Sequence, residues 1–121
     1  MVRLKLAYGR KGLAVDVPDT ADVVRPRFAP GLDDQEGAVR EALRRPIESR
    51  PLRELVKPGD RVVIVHTDIT RATPNQLILA IILAELEEAG VLRRHITLLN
   101  GLGTHRRQSE AELRAMLGDE V

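Results

Sequence analysis

The chain has 121 residues, 43% hydrophobic and 31% charged, with a net charge of +1 at pH 7. That length fits one domain with a modest core, and the balance points to a soluble globular protein rather than a disordered one. Near-neutral charge and only two aromatic residues, Tyr8 and Phe28, argue against nucleic acid and an acidic membrane surface, and the absence of cysteine excludes disulfides, thiolate metal sites and cysteine nucleophiles.

Residues 2–8 and 13–17 read as two strands joined by the turn Gly9, Arg10, Lys11, Gly12, a β-hairpin. Residues 18–32 carry Pro18, Pro26, Pro30 and Gly31 and read as an irregular connection. Asp33 or Asp34 caps a predicted helix running to about Arg45, with Ala38, Val39, Ala42 and Leu43 on one face and Pro46 as its stop. Leu52 to Val56 predicts a short helical turn, and Pro58, Gly59 and Asp60 turn the chain into a strand at 61–66. Thr73 is placed to cap the next helix, with Pro74 at its first position and Gln76 completing a capping box. That helix reaches about Ala89, and Gly90 supplies a left-handed stop. His95 to Leu99 predicts a further strand, and Ser109 with Glu112 forms a second capping box for a helix to about Leu117.

The order β, α, β, α implies an α/β fold with a Rossmann-like parallel sheet and flanking helices, preceded by the hairpin. No second domain or internal repeat is visible, so residues 1–121 read as a single α/β domain. The helix at 74–89 is apolar on every side over two turns, where covering one sheet face needs only a stripe. Neighbouring helices are the plain explanation; another domain, or another copy of the chain in a homo-oligomer, is the sharper one. No apolar core follows Met1, and the longest apolar run, 77–84, is too short to cross a bilayer, so neither a signal peptide nor a membrane is expected and the expected location is cytoplasmic.

Two parallel strands at 61–66 and 95–99 would end at one sheet edge, where ligands of open α/β sheets bind. The loops beyond them hold Asp68, Ile69, Thr70 and Arg71 on one side, and Gly101, Gly103, Thr104 and His105 on the other. Arg71 has the planar fork that grips a carboxylate or phosphate, and Thr70 and Thr73 add hydroxyls. Asp68 suits ligand hydroxyls, or holds Arg71 in place. His105 is the one loop side chain that ordinarily titrates near neutrality, and a helix N-terminus ahead of it with Arg106 and Arg107 beside it should favour the neutral ring, ready to take a proton.

Each residue has a plainer explanation. Single Asp and Thr residues at strand ends are usually turn or cap residues, Gly-x-Gly is often only a turn, and a lone loop histidine is more often solvated than catalytic. Arg106 and Arg107 read most simply as a solvated charge pair. His66 and His95 read as structural, since neither has a metal-ligand spacing to another His, Asp or Glu, and no metal site is expected. Only the pairing of two polar loops at one edge lifts the reading to an anion-binding α/β site.

The stretch Asp68, Ile69, Thr70, Arg71, followed by Pro74 and later by Gly103, Thr104, His105 and Arg106, resembles the N-terminal part of the nickel-dependent lactate racemase family. The resemblance extends over nearly the whole chain, through Tyr8 and Gly9, Pro30, Gly31 and Leu32, Pro51 and Leu52, and Lys57, Pro58, Gly59 and Asp60. It implies interconversion of 2-hydroxy acid stereoisomers with a nickel-pincer cofactor, a pyridinium bisthiocarboxylate mononucleotide. It further implies that Asp68, Ile69, Thr70 and Arg71 form the cofactor-binding stretch, with Arg71 also near the substrate carboxylate. His105 matches one of two general acid/base histidines. It would take the hydroxyl proton while the Cα hydrogen leaves as hydride to the cofactor.

Two departures bear on this. The family usually has proline directly after the motif arginine, where this chain has Ala72. The second acid/base histidine, the cofactor-bearing lysine and the nickel-binding histidine lie further along in the family and have no counterpart here. The resemblance therefore implies an N-terminal portion that is incomplete alone, with the C-terminal remainder of a racemase chain as its partner. Rival readings are a non-enzymatic anion-binding module and a regulatory or structural subunit of the same fold.

Overall fold

In the computed structural model, which describes residues 1–121, the chain divides into two units, Met1–Gly31 and Leu32–Val121. The first is the hairpin. Strands β1 (Val2–Leu6) and β2 (Leu13–Val17) pair antiparallel in the register Val2 to Val17 and Leu6 to Leu13. The Gly12 amide donates to the Tyr8 carbonyl across a turn in which both glycines take positive φ, +52° at Gly9 and +77° at Gly12. Such angles cost a residue with a Cβ, which is why glycine stands at both positions. Arg3 and Asp16, directly opposite each other, join through two hydrogen bonds of 2.9 Å.

The second unit contains helices α1 (Gln35–Arg44), α2 (Leu52–Leu55), α3 (Asn75–Glu88) and α4 (Glu110–Leu117), with strands β3 (Val62–Thr67) and β4 (Ile96–Gly101). β3 and β4 pair in parallel, from Val62 with Ile96 to Thr67 with Gly101, and α3 lies between them in the chain. The fold is therefore mixed α/β: a parallel sheet with helices, plus an antiparallel hairpin. The parallel sheet has two strands. Their alternation leaves Ile64 and Leu98 half-buried on one face and Val63, Val65 and Leu99 exposed on the other.

Helix α3 carries the core. Leu79, Ile81, Leu83 and Leu86 are buried with Val91, and no residue at 77–86 is exposed. α1, α2 and α4 all pack against it and cover much of its apolar surface, with a cavity left along Leu77, Ala80, Ile81 and Ala84. At about 25 cal/mol per Å² of apolar surface removed from water, this burial is the main favourable contribution of the unit. Gly90 ends the helix at φ +89°, where a Cβ would also come within 2.8 Å of the Pro58 ring.

Two local expectations differ from the structure. Thr73 does not cap α3: Pro74 occupies the cap position with no side-chain bond, and Gln76 donates instead to the Ala115 carbonyl on α4. A proline at the cap reshapes the first turn, so the Thr73 carbonyl, not its hydroxyl, receives the Asn75 amide. The second strand also runs later than 95–99, because a 3₁₀ turn, Arg93–His95, precedes it and pairing with β3 extends through Gly101. The Asp34 cap on Gly37 and the Ser109–Glu112 capping box are both present.

Candidate functional site

Parallel pairing aligns the ends of β3 and β4, with His66 opposite Asn100 and Thr67 opposite Gly101. The two loops therefore leave the sheet side by side. Between them is a cavity of about 350 Å³ whose lining includes Asp68, Arg71 and His105, with Thr67, Thr104 and the backbone around Gly101 and Gly103. A larger cavity of about 790 Å³ lies along α3, with Leu77, Ala80, Ile81, Ala84 and Met116 among its apolar lining. Of its three charged residues Glu36 and Arg40 pair with each other and Glu120 is a further acid, so it offers an anion no uncommitted cation; the smaller cavity, beyond the carboxyl ends of the strands, is the better site.

Asp68 organises this edge. Only 3% of it is exposed. Its Oδ1 accepts from the Thr70 amide at 2.9 Å and the Thr70 hydroxyl at 2.6 Å, and its backbone carbonyl accepts from the Arg71 amide at 3.2 Å. Its Oδ2 pairs with Nδ1 of His105, which is 37 residues away in sequence. The hydrogen bond from His105, followed by those from Thr70, lowers the Asp68 pKa to about 2. The carboxylate is thus ionised throughout the neutral range.

Arg71 is held differently. Its amide is fixed to Asp68, while its exposed guanidinium makes no hydrogen bond or ion pair within the protein. The alternative in which Asp68 holds the Arg71 side chain is therefore not what the structure shows: the carboxylate is taken by Thr70 and His105. Thr70 directs its hydroxyl to Asp68, and Ile69 is 44% exposed at the loop tip. Neither lines the cavity. Of the sequence candidates, Asp68, Arg71 and His105 are brought together.

The surroundings of His105 also depart from expectation. Arg106 turns away to Glu112 at 2.7 and 2.9 Å, within the Ser109 capping box, and the charge touching the imidazole is the Asp68 carboxylate. Glu112 is lowered to about 2, mainly by Arg106 and then by the Ser109 amide. The His105 ring is 46% exposed, and its Nε2 has no partner in the protein. Gly103, at φ +58°, has open space where a Cβ would sit, leaving the backbone beside the cavity accessible. His66 is buried and donates from Nδ1 to the Thr67 carbonyl at 3.0 Å, a structural role.

Two buried polar residues went unnoticed in the sequence. Asn75 joins the start of α3 to the end of β3, donating to both the carbonyl and the hydroxyl of Thr67 at 3.3 Å. Glu85 is 1% exposed and is clamped by Arg44 at 2.9 Å and Arg53 at 2.6 Å, with Arg40 at 3.9 Å. Its signal was present: it is the only charged residue at 75–86.

The model of the lactate racemase N-terminal domain family matches residues 8–121. The chain belongs to that family. It is 26% identical to the lactate racemase of Thermoanaerobacterium thermosaccharolyticum and 28% identical to that of Lactiplantibacillus plantarum, in both cases over its full length. The structure of the lactate racemase apoprotein from the first organism superposes with a TM-score of 0.76 at 26% identity over 98% of this chain. The chain spans 29% of the length of either curated relative, so the match is to the N-terminal domain of longer proteins. No helix of this domain is long and apolar enough to cross a membrane.

Proposed function

We propose that this domain serves a lactate-type 2-hydroxy acid racemase or epimerase as the part that binds the anionic groups of cofactor and substrate and contributes one acid/base histidine. The observation that supports this best is a single cavity lined by a guanidinium with no protein partner and an imidazole with one free nitrogen. A 2-hydroxy acid presents the matching pair, a carboxylate and an adjacent hydroxyl.

The cavity lies at the small end of the ligand-pocket range of about 300–1,000 Å³. Its residues fit an anionic group. Arg71 is uncommitted, and the glycine backbone leaves room for close approach. These residues suit the anionic, phosphate-bearing part of a nickel-pincer nucleotide. Within the stretch Asp68, Ile69, Thr70, Arg71, the guanidinium would hold the anion while Asp68 and Thr70 shape the loop. A nickel-pincer group supplies, when bound, an acceptor for the Cα hydride. Arg71 orients the substrate carboxylate by a two-pronged hydrogen bond. His105 takes the hydroxyl proton of one stereoisomer on its free nitrogen, and the second acid/base histidine, supplied by the remainder of the chain, would serve the other. The remainder of the longer racemase chain is the partner that completes the site.

Racemisation of lactate by the cofactor-loaded full-length protein tests this reading. His105→Ala should lower kcat by roughly 10²–10⁴-fold, the usual worth of a positioned base. Arg71→Ala should chiefly raise KM. Unchanged racemisation in both variants rejects the assignment, and anion binding without turnover in the loaded parent protein indicates a binding module instead.

A further inference from the structure

The two oxygens of Asp68 have different partners, and that asymmetry carries a consequence for His105. Oδ1 is occupied by the Thr70 amide and hydroxyl, while Oδ2 meets Nδ1 of His105. A backbone N–H can only donate, so Thr70 fixes which side of the carboxyl must be an acceptor. The other oxygen is ionised and nearly sealed from water, with 4% of the side chain exposed. It requires a donor. We propose that Asp68 is a positioning residue that holds neutral His105 in the tautomer with its hydrogen on Nδ1, leaving Nε2 as the atom that exchanges a proton with the substrate hydroxyl.

This rests on the proposed acid/base role of His105 and adds which nitrogen reacts and what selects it. In the neutral ring one nitrogen carries hydrogen and the other a lone pair, and the partner of the first decides the second. Without the carboxylate, a half-exposed imidazole would sample both tautomers and several orientations. With it, the lone pair on Nε2 is the only one available. The proton balance is simple: the hydroxyl proton passes to Nε2, the ring becomes an imidazolium, and Asp68 stabilises that charge while remaining ionised. The reverse transfer restores the neutral ring.

Asp68→Asn gives this an unusual test. The Thr70 amide must still find an oxygen, so the new carboxamide keeps its oxygen there and turns its NH₂ toward His105. Two donors cannot face each other, so Nδ1 must become the acceptor and the hydrogen must move to Nε2. The loop retains its Thr70 bonds while the base is inverted.

Nitrogen-15 NMR of the histidine side chains reads this directly, in the chain itself and without cofactor, at a pH where the ring shifts no longer move. His105→Ala assigns the signal. The parent protein is expected to show Nδ1 protonated and Nε2 unprotonated, and Asp68→Asn the reverse. In the loaded full-length protein, Asp68→Asn should lower kcat by on the order of 10²–10⁴-fold, more than Asp68→Ala, which permits both tautomers. A parent ring protonated on Nε2, or an Asp68→Asn ring with unchanged protonation, overturns the inference. If the variant does not fold, the parent spectrum alone decides. Full activity in His105→Ala would instead refute the acid/base reading, whatever the tautomer.

Discussion

Two carboxylates are almost completely buried in the helical unit, and they are neutralised in opposite ways. Glu85 sits in the apolar helix α3 and is surrounded by Arg40, Arg44 and Arg53 from α1 and α2. Asp68 sits at the sheet edge with a hydroxyl, an amide and an imidazole, while the nearby Arg71 guanidinium stays uncommitted. Arginine is always protonated, so the Glu85 cluster is fixed and pins three helices together. The Asp68 partner is an imidazole, a side-chain type that can be neutral or charged, so this pairing is not a fixed cluster of ions. Both acids are lowered in pKa, Glu85 first by Arg53 and Asp68 first by His105. A shared direction of shift hides a difference of setting: one carboxylate joins three helices, the other meets a loop imidazole whose second nitrogen is free.

The sharpest way to break this comparison is to remove Glu85. Glu85→Ala leaves three arginines crowded with no acid between them and should destabilise the domain by about 3 kcal/mol in urea unfolding. That is the lower end for a broken buried pair, because the arginine side chains are 32–47% exposed. Asp68→Ala should cost less, since it frees one loop rather than a three-helix junction. Equal losses in the two variants would erase the distinction.

Acid probes both sites together. Asp68 and Glu112 fall to about 2 in the folded chain, and Glu85 is also lowered. A depressed folded pKa contributes stability that is complete above the unfolded value and disappears as pH falls through the folded one. Unfolding free energy should therefore decline from about pH 5 down to about pH 2. Removing Glu85 should flatten that decline more than any single change in the hairpin. A flat profile would contradict the lowered values.

Smaller effects sharpen the picture. Ser109→Ala removes the cap of α4 and should cost about 1 kcal/mol in the same unfolding measurement. Breaking the exposed Arg3–Asp16 pair with Arg3→Ala should produce no measurable change, because exposed ion pairs contribute little in water. A large loss there would show that the hairpin pair matters as much as the buried ones.

Much of this organisation was legible in the sequence because it is local. Asp34, the Ser109–Glu112 box, Gly90 and the Gly9–Gly12 turn work through neighbours a few residues away, and local residue spacing exposes them. The placement of the two loops followed from parallel pairing, a rule of topology rather than of residue type. What stayed hidden depends on contacts between distant segments. Asp68 and His105 are separated by 37 residues, and only the side-by-side exit of β3 and β4 makes them partners. The diversion of Arg106 to Glu112 was similarly invisible, since Arg106 looked like a solvated charge and Glu112 like a capping residue only. Thr73 misled because a good capping residue precedes a proline that takes the cap position itself.

The most direct measurement is a crystal structure of the cofactor-loaded full-length protein with a bound 2-hydroxy acid, read for the contacts of its hydroxyl and carboxylate. The expected result is the hydroxyl oxygen about 2.6–3.2 Å from Nε2 of His105, with the carboxylate on Arg71 and Nδ1 still on Asp68. A substrate hydroxyl on Nδ1, or a hydroxy acid bound away from both Arg71 and His105, would contradict it.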